Sequence, residues 1–261
     1  MSSALLPGPP PTDIINLAIA ELSLYIVLFS PAVWITWKHG KAGMTCWPML
    51  VSFMAMRFAS DISQIINKHE PQVTNQTLII TEAGTLACLS LTIIGLVYEA
   101  NTILPVSGKG WTQKILLAFT HLTNTTGIAM CTYAGSPSPT GGVFSAPLNK
   151  VGNLMMVFVM LVVGVWIWPT WKRTKVFPRH LNARNARYLL FTAAAALPFQ
   201  MVRLVYNTTY AFDHVTSLDP VMGTFATQFV LMFLMHLSVV LTSLAGGWLS
   251  RRVAAMISGS A

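Results

Sequence analysis

Long apolar runs separated by short polar stretches dominate the chain. They fall at roughly 13–37, 45–67, 77–100, 112–134, 152–171, 186–208 and 221–249. Each exceeds the roughly 18 residues expected of a membrane helix. The pattern predicts an all-α, polytopic membrane protein, a seven-transmembrane-helix bundle over residues 13–249. Residues 1–12 are expected as a short disordered tail and 250–261 as a C-terminal tail. The last run is long enough to tilt or to project beyond the bilayer.

Composition agrees with the pattern. Of 261 residues, 54% are hydrophobic and 9% are charged, against about 25% charged in a soluble domain. The mean hydropathy is +0.60. The net charge of +8 is therefore no sign of a nucleic-acid partner, and the placement of the charges matters more than their sum. The opening "MSSALLPGPPPT" has no basic residue, so it does not read as a signal peptide.

The basic residues set an orientation. Lys38, His39 and Lys41 follow the first run, Lys109 and Lys114 flank the third connection, and Arg251 and Arg252 follow the last. Lys172, Arg173, Lys175, Arg179, Arg184 and Arg187 fill the fifth connection, "WKRTKVFPRHLNARNAR". The alternate connections offer only Lys68 and Lys150. The positive-inside rule then predicts a lumenal or outside N-terminus and a cytosolic C-terminus. Sequons at Asn75 and Asn207 fall on the predicted lumenal side. The basic connection reads as a membrane-surface loop in contact with anionic lipid. Trp34, Trp37, Trp47, Trp111, Trp166, Trp168 and Trp171 lie near predicted cytosolic ends, as an interfacial belt would.

Cys46, Cys88 and Cys131 are isolated, which suggests neither a disulfide framework nor a metal site. "SGKG" at 107–110 lacks the spacing of a phosphate loop. No metal and no cofactor is expected.

Ionisable residues inside a membrane are costly and mark functional sites by default. "MAMRFASDISQ" at 54–64 carries Arg57 and Asp61 four residues apart, on one helix face. At about 1.5 Å per residue, Arg57 lies roughly 15 Å, Asp61 9 Å and Glu21 12 Å below the lumenal ends of their runs. Glu82 lies just inside the third run and Arg203 near the lumenal end of the sixth. His121 and Asn124 are one face of the fourth run, and Gln200 accompanies Arg203. Gln228 and His236 come from the seventh. These depths predict a shared polar cavity in the lumenal half. Glu99 lies near the cytosolic interface, where snorkelling is cheap, and is set aside.

Three acids (Glu21, Asp61, Glu82) face two arginines (Arg57, Arg203). One-to-one pairing leaves one carboxyl over. Kept dry, it would hold a proton near neutral pH and serve as a general acid. The candidate catalytic residues are thus Asp61, Glu82, Glu21 and His121. The candidate binding residues are Arg57, Arg203, Asn124, Gln200, Gln228, His236, Tyr25 and Phe58.

"IAELSLYI" at 19–26, "WKHGKAG" at 37–43, "MRFASDISQ" at 56–64 and "LPFQMVRLVY" at 197–206 resemble a family of fungal seven-helix membrane proteins of uncharacterised function. Glu21, Arg57 and Arg203 match that family's pattern. Asp61 and Glu82 read as additions, which makes Asp61 the first and Glu82 the second candidate for the unpaired acid. In size, span number and buried carboxylates the chain is also similar to fungal membrane-bound terpene and meroterpenoid cyclases, although it lacks their motifs.

Two functional classes follow. The first is an endoplasmic reticulum enzyme acting on a lipophilic small molecule, with membrane lipid as its other partner. A carboxylic acid protonates an epoxide or alkene, the cation cyclises, and His121 or a second carboxylate removes a proton. The alternative is a seven-helix receptor or small-molecule transporter. Against it stand the lack of a retinal lysine in the last run and of evident inverted halves.

Overall fold

The computed structural model describes residues 9–70, 76–104, 110–134, 144–176, 181–213, 215–220 and 223–251. Most of the N-terminal tail and nearly all of the C-terminal one lie outside these, as do Asn75, Lys109, Arg179 and Arg252. Among the described residues the chain is helical with no strand. The long helices are α1 (Thr12–His39), α2 (Trp47–Ile66), α3 (Gln76–Thr102), α4 (Gly110–Ala134), α5 (Ala146–Val176) and α6 (Leu181–Asp213). The last, α7, runs over Phe225–Ser250.

Six of these helices are long and apolar enough to cross a membrane, which is consistent with a multi-pass membrane protein. The exception is α4, diluted by His121, Asn124 and its threonines. Helices α5 and α6 overrun their apolar runs at both ends, because hydropathy marks where lipid ends and not where backbone hydrogen bonding stops.

Local chemistry explains the ends. Gly40, with φ +52°, closes α1 in a conformation that glycine adopts without a Cβ penalty. Pro48 occupies the first turn of α2, where its missing N–H is no loss. Prolines 31, 169 and 198 sit inside α1, α5 and α6, as packed membrane helices tolerate.

Helix α3 is the hub, packed against α2, α6, α4 and α5. Its most apolar window is 72% buried, against 28% for α1. The core joins Tyr25, Trp47, Phe53, Leu89, Ile93, Val163, Leu189 and Val240. Large apolar residues such as Ile26, Val27, Leu122, Leu161, Val165 and Phe191 face outward. Glu21, Arg57, Asp61, Glu82 and Arg203 are buried while these apolar residues face outward, an arrangement suited to lipid. Gly127 and Gly152 let α4 and α5 approach until a Cβ on Gly152 would lie 2.6 Å from the Gly127 carbonyl oxygen, the close contact that small residues permit between membrane helices.

The two ends of the bundle differ. At one, Lys38 lies over Trp37, Lys172 over Trp168 and Arg251 over Trp248, at 5.0, 5.2 and 4.2 Å from the rings. Trp166, buried in the core, does not join this belt, and neither does Trp47. The latter is fully buried, because the turn after α1 folds it inward against α3.

Candidate functional site

The i,i+4 spacing of Arg57 and Asp61 on α2 is realised as a 2.8 Å bond from Nη2 to Oδ1. The same nitrogen donates to Glu21 Oε2 on α1. Nη1 donates to Glu82 Oε2 on α3 at 3.3 Å. The other oxygen of Glu82 accepts from Arg203 Nη2 on α6. Arg203 Nη1 donates to Asn207 one turn on, and its guanidinium lies 4.9 Å from the Tyr206 ring. One connected array thus ties four helices together, and every charged member is at most 7% exposed.

The pairing is not one-to-one. Arg57 touches all three acids and Glu82 bridges both arginines, because a planar guanidinium presents donors in several directions at once. Arg57 also occupies the space between the carboxylates that a metal ion would need. Among the described residues no group of acids, histidines or cysteines is placed to hold one.

Sealed atoms without a partner among the described residues cluster here. They include Asp61 Oδ2, Arg57 Nε, Arg203 Nε, Tyr25 Oη, Ser60 Oγ and Tyr206 Oη. Buried polar atoms are as a rule satisfied, so these atoms call for water or a ligand. A crevice reaches the array from the end of the bundle where α1 and α7 begin. Ile14, Leu17, Ala18, Leu78 and Met232 wall it, and Glu21, Arg57 and Glu82 lie at its base. Its free volume is about 30 Å³, room for one or two waters.

Part of the crevice wall is irregular helix. Residues Gln228–Leu234 of α7 form a π-helical turn, and both Gln228 and Met232 line the opening. Such turns recur at functional sites, and nothing in the apolar run announced this one.

The other candidates are placed as follows. Tyr25 is fully buried one turn deeper than Glu21, edge-on to Phe53 at 5.5 Å. His236 meets Phe53 from α7 at 5.4 Å, with Nε2 sealed and without a partner among the described residues. Gln200 lies one turn deeper than Arg203 and donates to Leu86 O and Ser90 Oγ at 3.1 and 2.8 Å. Phe58 packs on Phe29 instead. His121 and Asn124 stay on α4, which supplies no member of the array. Asn124 donates to Ala87 O at 3.5 Å, and His121 Nε2 has no partner among the described residues.

Glu99 overturns the expectation that it snorkels. It is fully buried. Its Oε1 lies 2.5 Å from His39 Nδ1, and Oε2 accepts from Trp47 Nε1 at 2.9 Å. The other ring nitrogen of His39 lies 3.1 Å from Gly247 O. Depth counted along one helix misled, because the end of α1 and the start of α2 fold over that of α3. The available signal was three polar groups, His39, Trp47 and Glu99, at one predicted end. Beside it, Asn101 bonds Thr170 and Gln113 at 2.8 and 3.0 Å, joining α3, α5 and α4.

The fold and this array define an all-helical protein of membrane type with a buried, multi-helix charge network. The chain belongs to the family described as a domain of unknown function, DUF7702, whose model matches residues 12–253. A comparison with curated proteins finds no match.

Proposed function

We propose that the protein is a membrane-embedded enzyme that carries out acid–base chemistry on a lipophilic substrate at the Arg57 array, as a metal-independent terpene or meroterpenoid cyclase does. The observation that carries this reading is Asp61. One of its oxygens is held by Arg57, while the other is sealed and without a partner among the described residues. In the neutral array that oxygen bears a proton. Transfer to an alkene forms a C–H bond and leaves a carbocation; transfer to an epoxide oxygen opens the ring. Glu21 or Glu82, at the base of the crevice, then takes the proton released on closure. His121, on a helix outside the array, is less suited to that task.

The reading also places seven spans across the endoplasmic reticulum membrane. The array lies in the lumenal half and the Trp–Lys belt at the cytosolic face. A lipophilic substrate arrives sideways, between α1 and the π-helical turn of α7. Helix α1 packs chiefly on α2 and touches α7 lightly, so this is the seam that opens most cheaply. The second reading is a receptor or transporter for a small ligand. What favours it is the narrowness of the crevice, whose free volume of about 30 Å³ suits a small ligand better than a prenylated substrate.

Membranes holding the wild-type chain, given prenylated and epoxidised precursors, are expected to form cyclised product. Asp61→Asn keeps the shape and removes the proton, so turnover should fall by roughly a hundredfold or more at near-normal protein levels. In a purely structural role Asp61 is an ionised partner of Arg57, and the same change removes one of the three acids that hold that guanidinium, so thermal stability and protein level fall together with turnover. Asp61→Asn protein with full turnover sinks the assignment of Asp61.

A further inference from the structure

Charge balance across the array points to a ligand class. The array at the base of the crevice takes Glu21 from α1, with the Tyr25 hydroxyl one turn deeper, and Arg57, bonded to Asp61, from α2. Glu82 comes from α3, Arg203 and Tyr206 from α6, and His236 from α7. Two guanidinium groups balance two carboxylates. The third carboxyl is neutral only while it holds a proton. Once the proton leaves, the site carries one net negative charge in a sealed, low-dielectric place, where an unbalanced charge is costly. A cation of equal charge on an apolar body relieves that cost, and the crevice offers apolar walls above an acidic base.

We infer that the array binds lipophilic monocations, and specifically a prenyl-length chain bearing an ammonium group, in exchange for the proton of the third carboxyl. The inference rests on the acid–base reading of the same cluster, because a protonated substrate is itself such a cation. Two features of the site support it independently of any reaction. Asp61 Oδ2 and Tyr25 Oη are sealed oxygens without partners among the described residues, and both can accept from an ammonium once the proton has left. Above its acidic base the crevice presents Ile14, Leu17 and Ala18 of α1, Leu78 of α3 and Met232 of α7, with Gln64 and Gln228 as its polar members, an apolar lining that a hydrocarbon chain can follow once the α1–α7 seam opens. The exchange balances: the carboxylic acid releases one proton to solution, and the ammonium takes its place as counter-ion.

The experiment uses the full chain in nanodiscs of zwitterionic lipid. The ligands are a farnesyl-chain dimethylamine, charged at neutral pH, and farnesol, which has the same chain and no charge. The amine should bind about tenfold or more tightly than the alcohol, or 1.4 kcal/mol and above. In weakly buffered solution it should release about one proton per site, while the alcohol releases none. Asp61→Asn should remove both the preference and the release. Should that variant fail to fold, Glu21→Gln, which also leaves two acids against two arginines, should do the same. Equal affinity of wild type for the two ligands overturns the inference. So does an amine preference that survives in every folded acid variant. Failure of the enzymatic reading looks different: the amine binds selectively, yet no precursor is turned over.

Discussion

Arg57 and Glu99 are the two residues around which the interior is organised, and they sit at opposite ends of the bundle. Each is sealed and each has more than one partner. For Glu99, the His39 and Trp47 nitrogens both rely on one carboxylate. Removing it leaves two buried groups without their acceptor, each costing about 1–3 kcal/mol. Glu99→Ala should therefore melt well below wild type in detergent. Glu99→Gln, which keeps one acceptor oxygen, should fall between them. An alanine variant that melts with wild type would show that the cluster is incidental to stability.

Legibility at this scale was uneven, for a physical reason. Arg57, Asp61, Glu21, Glu82 and Arg203 stood out because a charge in an apolar run is conspicuous on one strand of text. Their bonding did not, because it depends on four helices meeting. Glu99 was legible as a charge and misread as exposed. Nothing local to α3 records that the turn after α1 covers it.

Among the elements, the helices followed from hydrophobic run length, and their irregularities did not. Helix α4 is the one long helix here without an apolar stretch of membrane-spanning length, and its place depends on a close contact with α5. A Cβ on Gly152 would meet Gly127 O at 2.6 Å and Cys131 Sγ at 2.8 Å. Backbone cannot yield as a flexible side chain does. Gly152→Ala should destabilise the bundle by about 1–3 kcal/mol, the usual range for overpacking. Gly164 lies on the same helix, and a Cβ there would approach only Leu197 Cδ2, at 3.3 Å. Gly164→Ala should be close to neutral. Thermal unfolding of the two variants side by side tests the point, and equal loss in both would remove the special role of the α4–α5 contact. The π-helical turn of α7 was hidden for a related reason. Its residues, QFVLMFL, are as apolar as any α-helical turn, and hydropathy does not register one extra residue per turn.

For the molecule as a whole, the orientation rests on charge asymmetry. Reporters fused to the two ends should show glycosylation at the N-terminus and none at the C-terminus. A glycosylated C-terminus would reverse the topology and move the Arg57 array to the cytosolic half. The belt of cations over tryptophans at the ends of α1, α5 and α7 suits a membrane interface, and the reporters decide which side it faces.

The sequence by itself determined that this chain is helical, that most of its helices are of membrane-spanning length and composition, and that a few charges lie where lipid would otherwise be. Those properties are written in run length and in single conspicuous residues, so no partner is needed to read them. Tertiary structure decided which charges share a site, that Arg57 serves three acids at once, that Glu99 and Trp47 are core residues, and where the crevice opens. Each of these is set by the packing of helices distant in sequence, and packing leaves no periodic mark along a uniformly apolar run.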